Sequence, residues 1–199
     1  MIEWINFSSL IGSLFLFSFL YTLSVQPAKR EKRKGSQAWR QCMQFRIIAS
    51  LFEFVIIINM IILIWFPISL LSWKIYENYI TSILIGIIIS IPFLIILLKG
   101  TKDAGKETIQ PSKETQMYSG IYNYIRHPQS LGEFPLFVTI AFMVNSWFLV
   151  LLMSIYIIIY VPIMIHYEEK DLIRRFGENY KQYQQRTGAL FPKVRKRGK

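Results

Sequence analysis

Residues 131–165 read LGEFPLFVTIAFMVNSWFLVLLMSIYIIIYVPIMI, an apolar stretch that is too long for one membrane-spanning helix. About 20 apolar residues suffice for a helix to cross the hydrocarbon core of a bilayer. The polar pair Asn145 and Ser146 interrupts the stretch, and Trp147, a residue type enriched at membrane interfaces, follows it. We therefore predict a hairpin of two helices over residues 130–144 and 147–166. The first arm is only ~22 Å long at 1.5 Å per residue, so we expect protein to shelter one of its ends.

Three further apolar runs lie upstream of the hairpin, at residues 4–25, 47–66 and 80–98, and each ends at a proline or a charged residue. The first run is preceded by the acidic Glu3 and followed by basic residues, which is the reverse of a signal peptide, so we expect a retained helix. The chain is thus predicted to be a single all-α integral membrane domain, residues 1–199. It has five transmembrane helices, a loop at 100–127 and a C-terminal cytosolic helix with a basic end at 167–199.

Composition agrees with a membrane protein, because 53% of the residues are hydrophobic and only 18% are charged, whereas soluble domains carry about 25% charged residues. The net charge is +11, but the basic residues are separated from the apolar, aromatic runs. A nucleic acid is therefore not a predicted partner. Cys42 is the only cysteine, so the sequence offers neither an internal disulfide nor a cysteine and histidine cluster for a metal.

The basic residues also predict the orientation in the membrane. With five spans, every lysine and arginine except Lys74 falls on the same side as the C-terminus. Loops rich in lysine and arginine stay in the cytosol. We therefore expect the N-terminus outside and the C-terminus in the cytosol.

Polar residues that could take part in binding or catalysis concentrate at the two predicted cytosolic ends of the hairpin. Residues 120–133 read GIYNYIRHPQSLGE, and residues 166–171 read HYEEKD. A short turn makes the two arms antiparallel, so these segments are expected to meet. Arg126 and His127 then lie at a helix N-terminus that attracts a carboxylate, while Glu168 and Glu169 offer negative charge to an ammonium group or a ribose hydroxyl. A zwitterionic ligand would match both.

The same segments carry a family resemblance. The chain reads Gly-Ile-Tyr-x-x-Ile-Arg-His-Pro-Gln-x-Leu-Gly from residue 120, then Glu168-Glu169, Phe176-Gly177, Tyr180 and Tyr183, and finally Thr187-Gly188 and Phe191-Pro192. This ordered combination, over about the last two fifths of the chain, resembles the isoprenylcysteine carboxyl methyltransferase and phospholipid methyltransferase superfamily.

The resemblance implies a five-helix membrane methyltransferase that binds S-adenosylmethionine between the last two spans and a C-terminal cytosolic helix, with a lipophilic acceptor entering from the bilayer. Ser130 stands where the family usually has tyrosine, which removes a ring that could pack on the cofactor. The residues implied to hold the cofactor are Arg126, His127, Pro128, Gln129, Ser130, Leu131, Glu168 and Glu169.

The chemistry of methyl transfer suggests roles for some of these residues. A carboxylate acceptor needs a cation, for which Arg126 and Arg174 are candidates. An amine or thiol acceptor needs a base, for which His127 and Glu168 or its neighbour are candidates. Two more carboxylates lie within predicted spans: Glu133 is a candidate for lining the same cavity, and Glu53 is expected to pair with a residue of another span.

Two alternatives remain at the level of sequence. Sterol and steroid reductases that use NADPH resemble the same motif, often with a Gly-Glu pair like Gly132-Glu133, although they generally have more spans. A non-enzymatic adaptor that uses the basic cytosolic face is the other. The sequence leaves open the oligomeric state and the acceptor, which could be an isoprenylcysteine carboxylate, a phospholipid amine, or a small lipophilic thiol or acid.

Overall fold

The computed structural model describes residues 1–113 and 119–193. These residues form helices and short turns and no β-strand. The last residues of the predicted basic end, 194–199, lie outside the described residues. The helices are α1 (Ile2–Ser24), α2 (Pro27–Lys34), α3 (Gln37–Ile62), α4 (Tyr79–Ala104), α5 (Pro128–Met143), α6 (Trp147–Phe176) and α7 (Glu178–Arg186).

Four of these helices are long and apolar enough to cross a membrane: Ile2–Ser24, Gln37–Ile62, Tyr79–Thr108 and Trp147–Phe176. Their outer faces are exposed isoleucine, leucine and phenylalanine side chains, which is the surface that a helix presents to lipid. The chain is therefore an integral membrane protein. The predicted fifth span, α5, has 16 residues and measures about 24 Å, so the count of five spans stays a prediction.

Several helices extend beyond the predicted apolar runs. Gly35, with a positive φ of 62°, ends α2, and α3 begins two residues later at Gln37. The predicted loop 100–127 is partly helical, because α4 continues to Ala104 and a 3-10 turn, Gly105–Thr108, follows. An apolar run predicts only the apolar part of a helix. The helices of this chain continue beyond these runs into polar sequence.

The turn between α5 and α6 is fixed by Asn145 and Ser146. Asn145 has a positive φ of 61°, and its side-chain oxygen accepts hydrogen bonds from the backbone N–H groups of Ile75 and Tyr76. The Ser146 side chain caps α6 by accepting from the N–H of Leu149. The polar pair that interrupts the apolar stretch thus both turns the chain and anchors the loop before α4.

Helix α5 is sheltered on two sides. Gly132 lies against α4 so closely that a Cβ there would be 2.5 Å from the backbone nitrogen of Leu97. On its other side, Phe134 packs edge-on against Phe17 of α1 and Tyr160 of α6, with ring centroids 6.2 and 5.7 Å apart. This packing holds the short helix between its longer neighbours and fixes the position of its N-terminus.

The C-terminal segment folds back onto the start of α5. Helix α6 runs to Phe176, and Gly177, with φ 59°, ends it and starts α7. After α7, the carbonyl groups of Gly188 and Ala189 accept hydrogen bonds from the N–H groups of Arg126 and His127, at 2.9 and 3.0 Å. The residues before α5 are therefore held between the C-terminal segment and the end of α6.

Candidate functional site

His127 lies at the centre of a cluster of charged side chains. Its Nδ1 is 2.9 Å from Oε2 of Glu168, and its Nε2 is 3.1 Å from Oε1 of Glu169. The side chain is buried, and the backbone of His127 forms the N-cap of α5, with Pro128 in the first turn. The two polar ends of the hairpin therefore meet through one imidazole ring.

Arg126 completes the cluster from the same segment. Its Nε donates to Oε1 of Glu169 at 2.7 Å, and its Nη1 donates to the carbonyl oxygens of Thr187 and, at 3.3 Å, Gln184. Gln184 in turn donates to the other oxygen of Glu169 at 2.8 Å. Both oxygens of Glu169 are thus engaged within the protein.

The charges of this cluster offset one another. Burial alone would lower the pKa of His127, but the hydrogen bonds and negative charges of Glu168 and Glu169 outweigh it and raise the pKa to about 9. His127 is therefore a cation at neutral pH. Arg126 and His127, which the sequence places at a helix N-terminus that attracts a carboxylate, bind Glu168 and Glu169 of the protein itself.

A hollow lies beside the cluster and reaches several of the predicted site residues. Its lining includes Arg126, His127, Gln129, Ser130 and Glu168. Among the described residues, Glu168 uses only one oxygen, Oε2, in a hydrogen bond or ion pair. The second oxygen is available to a donor in the hollow, which makes Glu168 the acidic residue best placed to meet a ligand.

Four predicted residues do not line this hollow. Glu169 lies behind His127 and holds Arg126. Pro128 packs against Gly100 of α4, where an added Cβ would be 3.3 Å away. Leu131 is also absent from the lining. Arg174, expected as a cation for a carboxylate acceptor, is instead 3.9 Å from Asp171 on the same helix, so the structure does not bring it to the cluster.

Two arginines that the sequence did not assign to the site do line the hollow, Arg46 of α3 and Arg175 of α6. Nη1 of Arg46 donates to the carbonyl oxygens of Glu107 and Thr108 at 2.8 and 2.9 Å. Nη2 of Arg175 donates to Oε1 of Glu107 at 2.7 Å. The Nε of each arginine is buried without a hydrogen-bond partner in the described part of the chain. An acceptor group in the hollow would satisfy these donors.

The position of Arg46 at the start of an apolar run was a signal that could have been used. It is the last charged residue before the hydrophobic part of α3, which is where a cation meets the membrane surface. Arg175 carried no comparable signal, because it is one of many basic residues in the tail. Its place in the site depends on α6 continuing past the membrane as one helix.

A larger cavity of about 520 Å³ adjoins the hollow and shares Tyr21, Arg46, Thr108 and Gln129 with it. Its remaining walls are mostly apolar, and exposed Leu51 and Leu98 lie at its rim. It also contains the two carboxylates of the predicted spans, Glu53 and Glu133. Glu53 was expected to pair with a residue of another span; among the described residues it forms no ion pair, and it lines this cavity together with Glu133 of α5.

Comparison with known proteins shows similarity to methyltransferases. A model of the phospholipid methyltransferase family matches residues 83–179, which contain both halves of the charged cluster. A methanethiol S-methyltransferase of a Pseudomonas species is 30% identical over 150 residues, or 69% of this chain and 56% of the relative. Another, from Pseudomonas deceptionensis, is 28% identical over 188 residues, or 87% of this chain and 70% of the relative.

A third relative, methanethiol S-methyltransferase 1 of Bradyrhizobium diazoefficiens, is 36% identical over 88 residues, which cover 44% of this chain and 29% of the relative. The chain spans little more than half the length of the first of these relatives. No solved structure matches the chain.

Proposed function

Since the chain belongs to the superfamily of integral membrane methyltransferases that includes the phospholipid and isoprenylcysteine carboxyl methyltransferases, we propose that it transfers a methyl group from S-adenosylmethionine to a small lipophilic acceptor. The observation that carries the proposal is the charged cluster of His127 and the two glutamates beside a hollow with unsatisfied donors. Such a site offers groups of both signs to a zwitterionic ligand.

The donor and acceptor groups in the hollow fit S-adenosylmethionine. Glu168, with one oxygen unused, can accept from an ammonium group or a ribose hydroxyl. The unpartnered Nε atoms of Arg46 and Arg175 can donate to a carboxylate. The hollow itself is small, about 60 Å³, so a ligand of this size must also occupy part of the adjoining cavity.

The cofactor supplies an activated methyl group, and the protein supplies alignment and exclusion of water. His127 is held as a cation by two glutamates, so its part is to position Glu168 and Glu169, and it is not the base. Buried Tyr122 lines the hollow, and the Tyr183 hydroxyl of α7 donates to its carbonyl oxygen at 2.5 Å, which holds α7 against this wall. An apolar cavity on the membrane side gives the acceptor its own approach.

For the acceptor, a small lipophilic thiol is the best-supported class. Relatives that cover much of the chain are named for methanethiol, and the adjoining cavity of about 520 Å³ has mostly apolar walls. A phospholipid amine and an isoprenylcysteine carboxylate remain candidates that the same cavity could admit through its lipid-facing rim. The family match and the names of the relatives favour methyl transfer over the reductase and adaptor alternatives.

The test is a calorimetric titration of the detergent-solubilised protein with S-adenosylhomocysteine, the product form of the cofactor, and with NADPH. We expect binding of S-adenosylhomocysteine alone, weakened at least tenfold in the Glu168→Gln variant because the negative charge that accepts from the ligand is replaced by a neutral amide. Glu178→Gln is the matched control, since Glu178 is exposed on α7 and, among the described residues, pairs with Lys181 alone. Binding of NADPH without S-adenosylhomocysteine would refute the proposal.

A further inference from the structure

Two carboxyl groups face the large cavity from different helices, Glu53 from α3 and Glu133 from α5. Neither forms a hydrogen bond or an ion pair within residues 1–113 and 119–193. Carboxylates are costly at membrane depth and generally serve a function there. Since no partner in the described residues stabilises this pair, we expect the two carboxyl groups to act on a molecule that enters the cavity.

The location of the pair relates it to the acceptor and not to the cofactor. Glu133 lies one helical turn beyond Gln129, which lines both the hollow and the cavity. Arg46 also lines both spaces, and its positive charge acts on Glu133. The pair therefore lies on the membrane side of the wall that the two spaces share, where a lipophilic molecule would arrive.

The charged and titratable groups that act on Glu133 come from three neighbouring helices. Helix α3 contributes Glu53 and Arg46, α1 contributes Tyr21, and α6 contributes Tyr156 and Tyr160. From α4, only the uncharged Leu97, Leu98 and Thr101 line the cavity. Like charges repel strongly in a medium of low dielectric, so uptake of one proton by the two glutamates relieves a repulsion that Arg46 offsets only in part.

We propose that Glu133, with Glu53 beside it, accepts the proton of a neutral thiol acceptor in this cavity. The inference rests on the proposed function, with a thiol as the acceptor, and adds to it the destination of the thiol proton. It distinguishes a neutral thiol from an isoprenylcysteine carboxylate, which is already ionised at neutral pH and has no proton to give. The aliphatic walls around the pair suit the carbon part of such a thiol.

The step balances in atoms and charge. The S–H proton of the thiol moves to the Glu133 carboxylate, and the thiol sulfur forms a bond to the methyl carbon of the bound cofactor. The bond from that carbon to the sulfonium sulfur breaks, and its electron pair stays on that sulfur. One positive and one negative charge are consumed together, which an apolar cavity favours.

The test measures methyl transfer by the full-length protein to two probes, ethanethiol and the far more acidic thiophenol, which is largely ionised at neutral pH. We expect Glu133→Gln to lower kcat with ethanethiol at least 100-fold, within the range for loss of a general base. With thiophenol the loss should stay below tenfold, because that acceptor needs no base. Glu53→Gln should shift the pH profile of kcat with ethanethiol, since it removes the neighbouring negative charge.

Two controls separate this inference from the proposed function. Glu77→Gln replaces an exposed glutamate of the loop before α4 and should leave kcat with both thiols unchanged. Binding of S-adenosylhomocysteine should be unchanged in every variant. Equal losses with both thiols, no loss with either, or wild-type protein that binds S-adenosylhomocysteine but methylates neither thiol would overturn the inference alone. Failure of the wild type to bind S-adenosylhomocysteine would overturn the proposed function.

Discussion

At the scale of single residues, the charge of His127 links the site to the stability of the fold. Its pKa rises from an ordinary 6.5 to about 9 because the two glutamates outweigh the effect of burial. A group with a raised pKa stabilises the folded state fully below its unfolded pKa, and that contribution is lost as the pH rises through the folded pKa. For His127 the loss therefore falls between about pH 6.5 and 9.

We predict that the melting temperature of the wild type exceeds that of the His127→Gln variant most at pH 6, and that the difference shrinks toward pH 10. The raised pKa of His127 corresponds to roughly 3 kcal/mol of stabilisation at the lower pH. Thermal unfolding in detergent, followed by helical circular dichroism at both pH values, measures it. A difference that is independent of pH would show that the ring acts by packing and not by charge.

The sequence predicted that the residues of this cluster lie near one another, but it did not predict how their side chains pair. It predicted that Arg126 and His127 would lie near Glu168 and Glu169, because a turn at Asn145 makes the two arms antiparallel. It did not predict that the four side chains neutralise one another, since that depends on side-chain direction. Hydrogen bonds from Arg126 and His127 to the segment after α7 orient these side chains, and contacts so distant in sequence have no local signal.

At the scale of helices, Asp171 connects α6 to the start of α2. Its carboxylate accepts hydrogen bonds from the N–H groups of Ala28 and Lys29, at 3.0 and 2.7 Å, and the side chain is 1% exposed. It therefore caps a helix from a distant part of the chain. The sequence gives no signal for this cap, because capping residues are recognised from their neighbours in sequence.

We predict that Asp171→Ala lowers the free energy of unfolding by about 1–2 kcal/mol, the usual cost of losing a side-chain cap. Asp171→Asn should cost less, because its amide oxygen can still accept one of the two hydrogen bonds. Both effects are read from melting temperatures in detergent. Glu178→Ala, an exposed change on α7, serves as the control, and a loss as large in that variant would argue against a specific cap.

At the scale of the whole molecule, hydropathy predicted the four long apolar helices, but it did not predict the cavity between them. The apolar runs predicted where α1, α3, α4 and α6 would cross the membrane. Helix α1 packs closely on α3, and α4 packs closely on α5, as at Gly132 against Leu97. The cavity is the space that remains between these two pairs of helices. Small residues permit such an approach, but the gap left elsewhere depends on all the helices together.

Because α5 is short, whether it crosses the membrane must be tested by experiment. If α5 crosses the bilayer, supported by α4 and α6 on either side, then Lys74 is outside while Lys34 and Lys193 face the cytosol. Burial of its Gly132 and Phe134 among longer helices favours a crossing, because neighbouring protein replaces lipid at its ends.

We predict that an impermeant maleimide applied to intact cells labels a Lys74→Cys variant but neither Lys34→Cys nor Lys193→Cys. Cys42, the single native cysteine, is buried and is first replaced by serine, so that each variant carries one reactive thiol. Permeabilised cells should give labelling at all three positions, which controls for access. Labelling of Lys74→Cys and Lys193→Cys from the same side would mean that α5 does not cross the membrane.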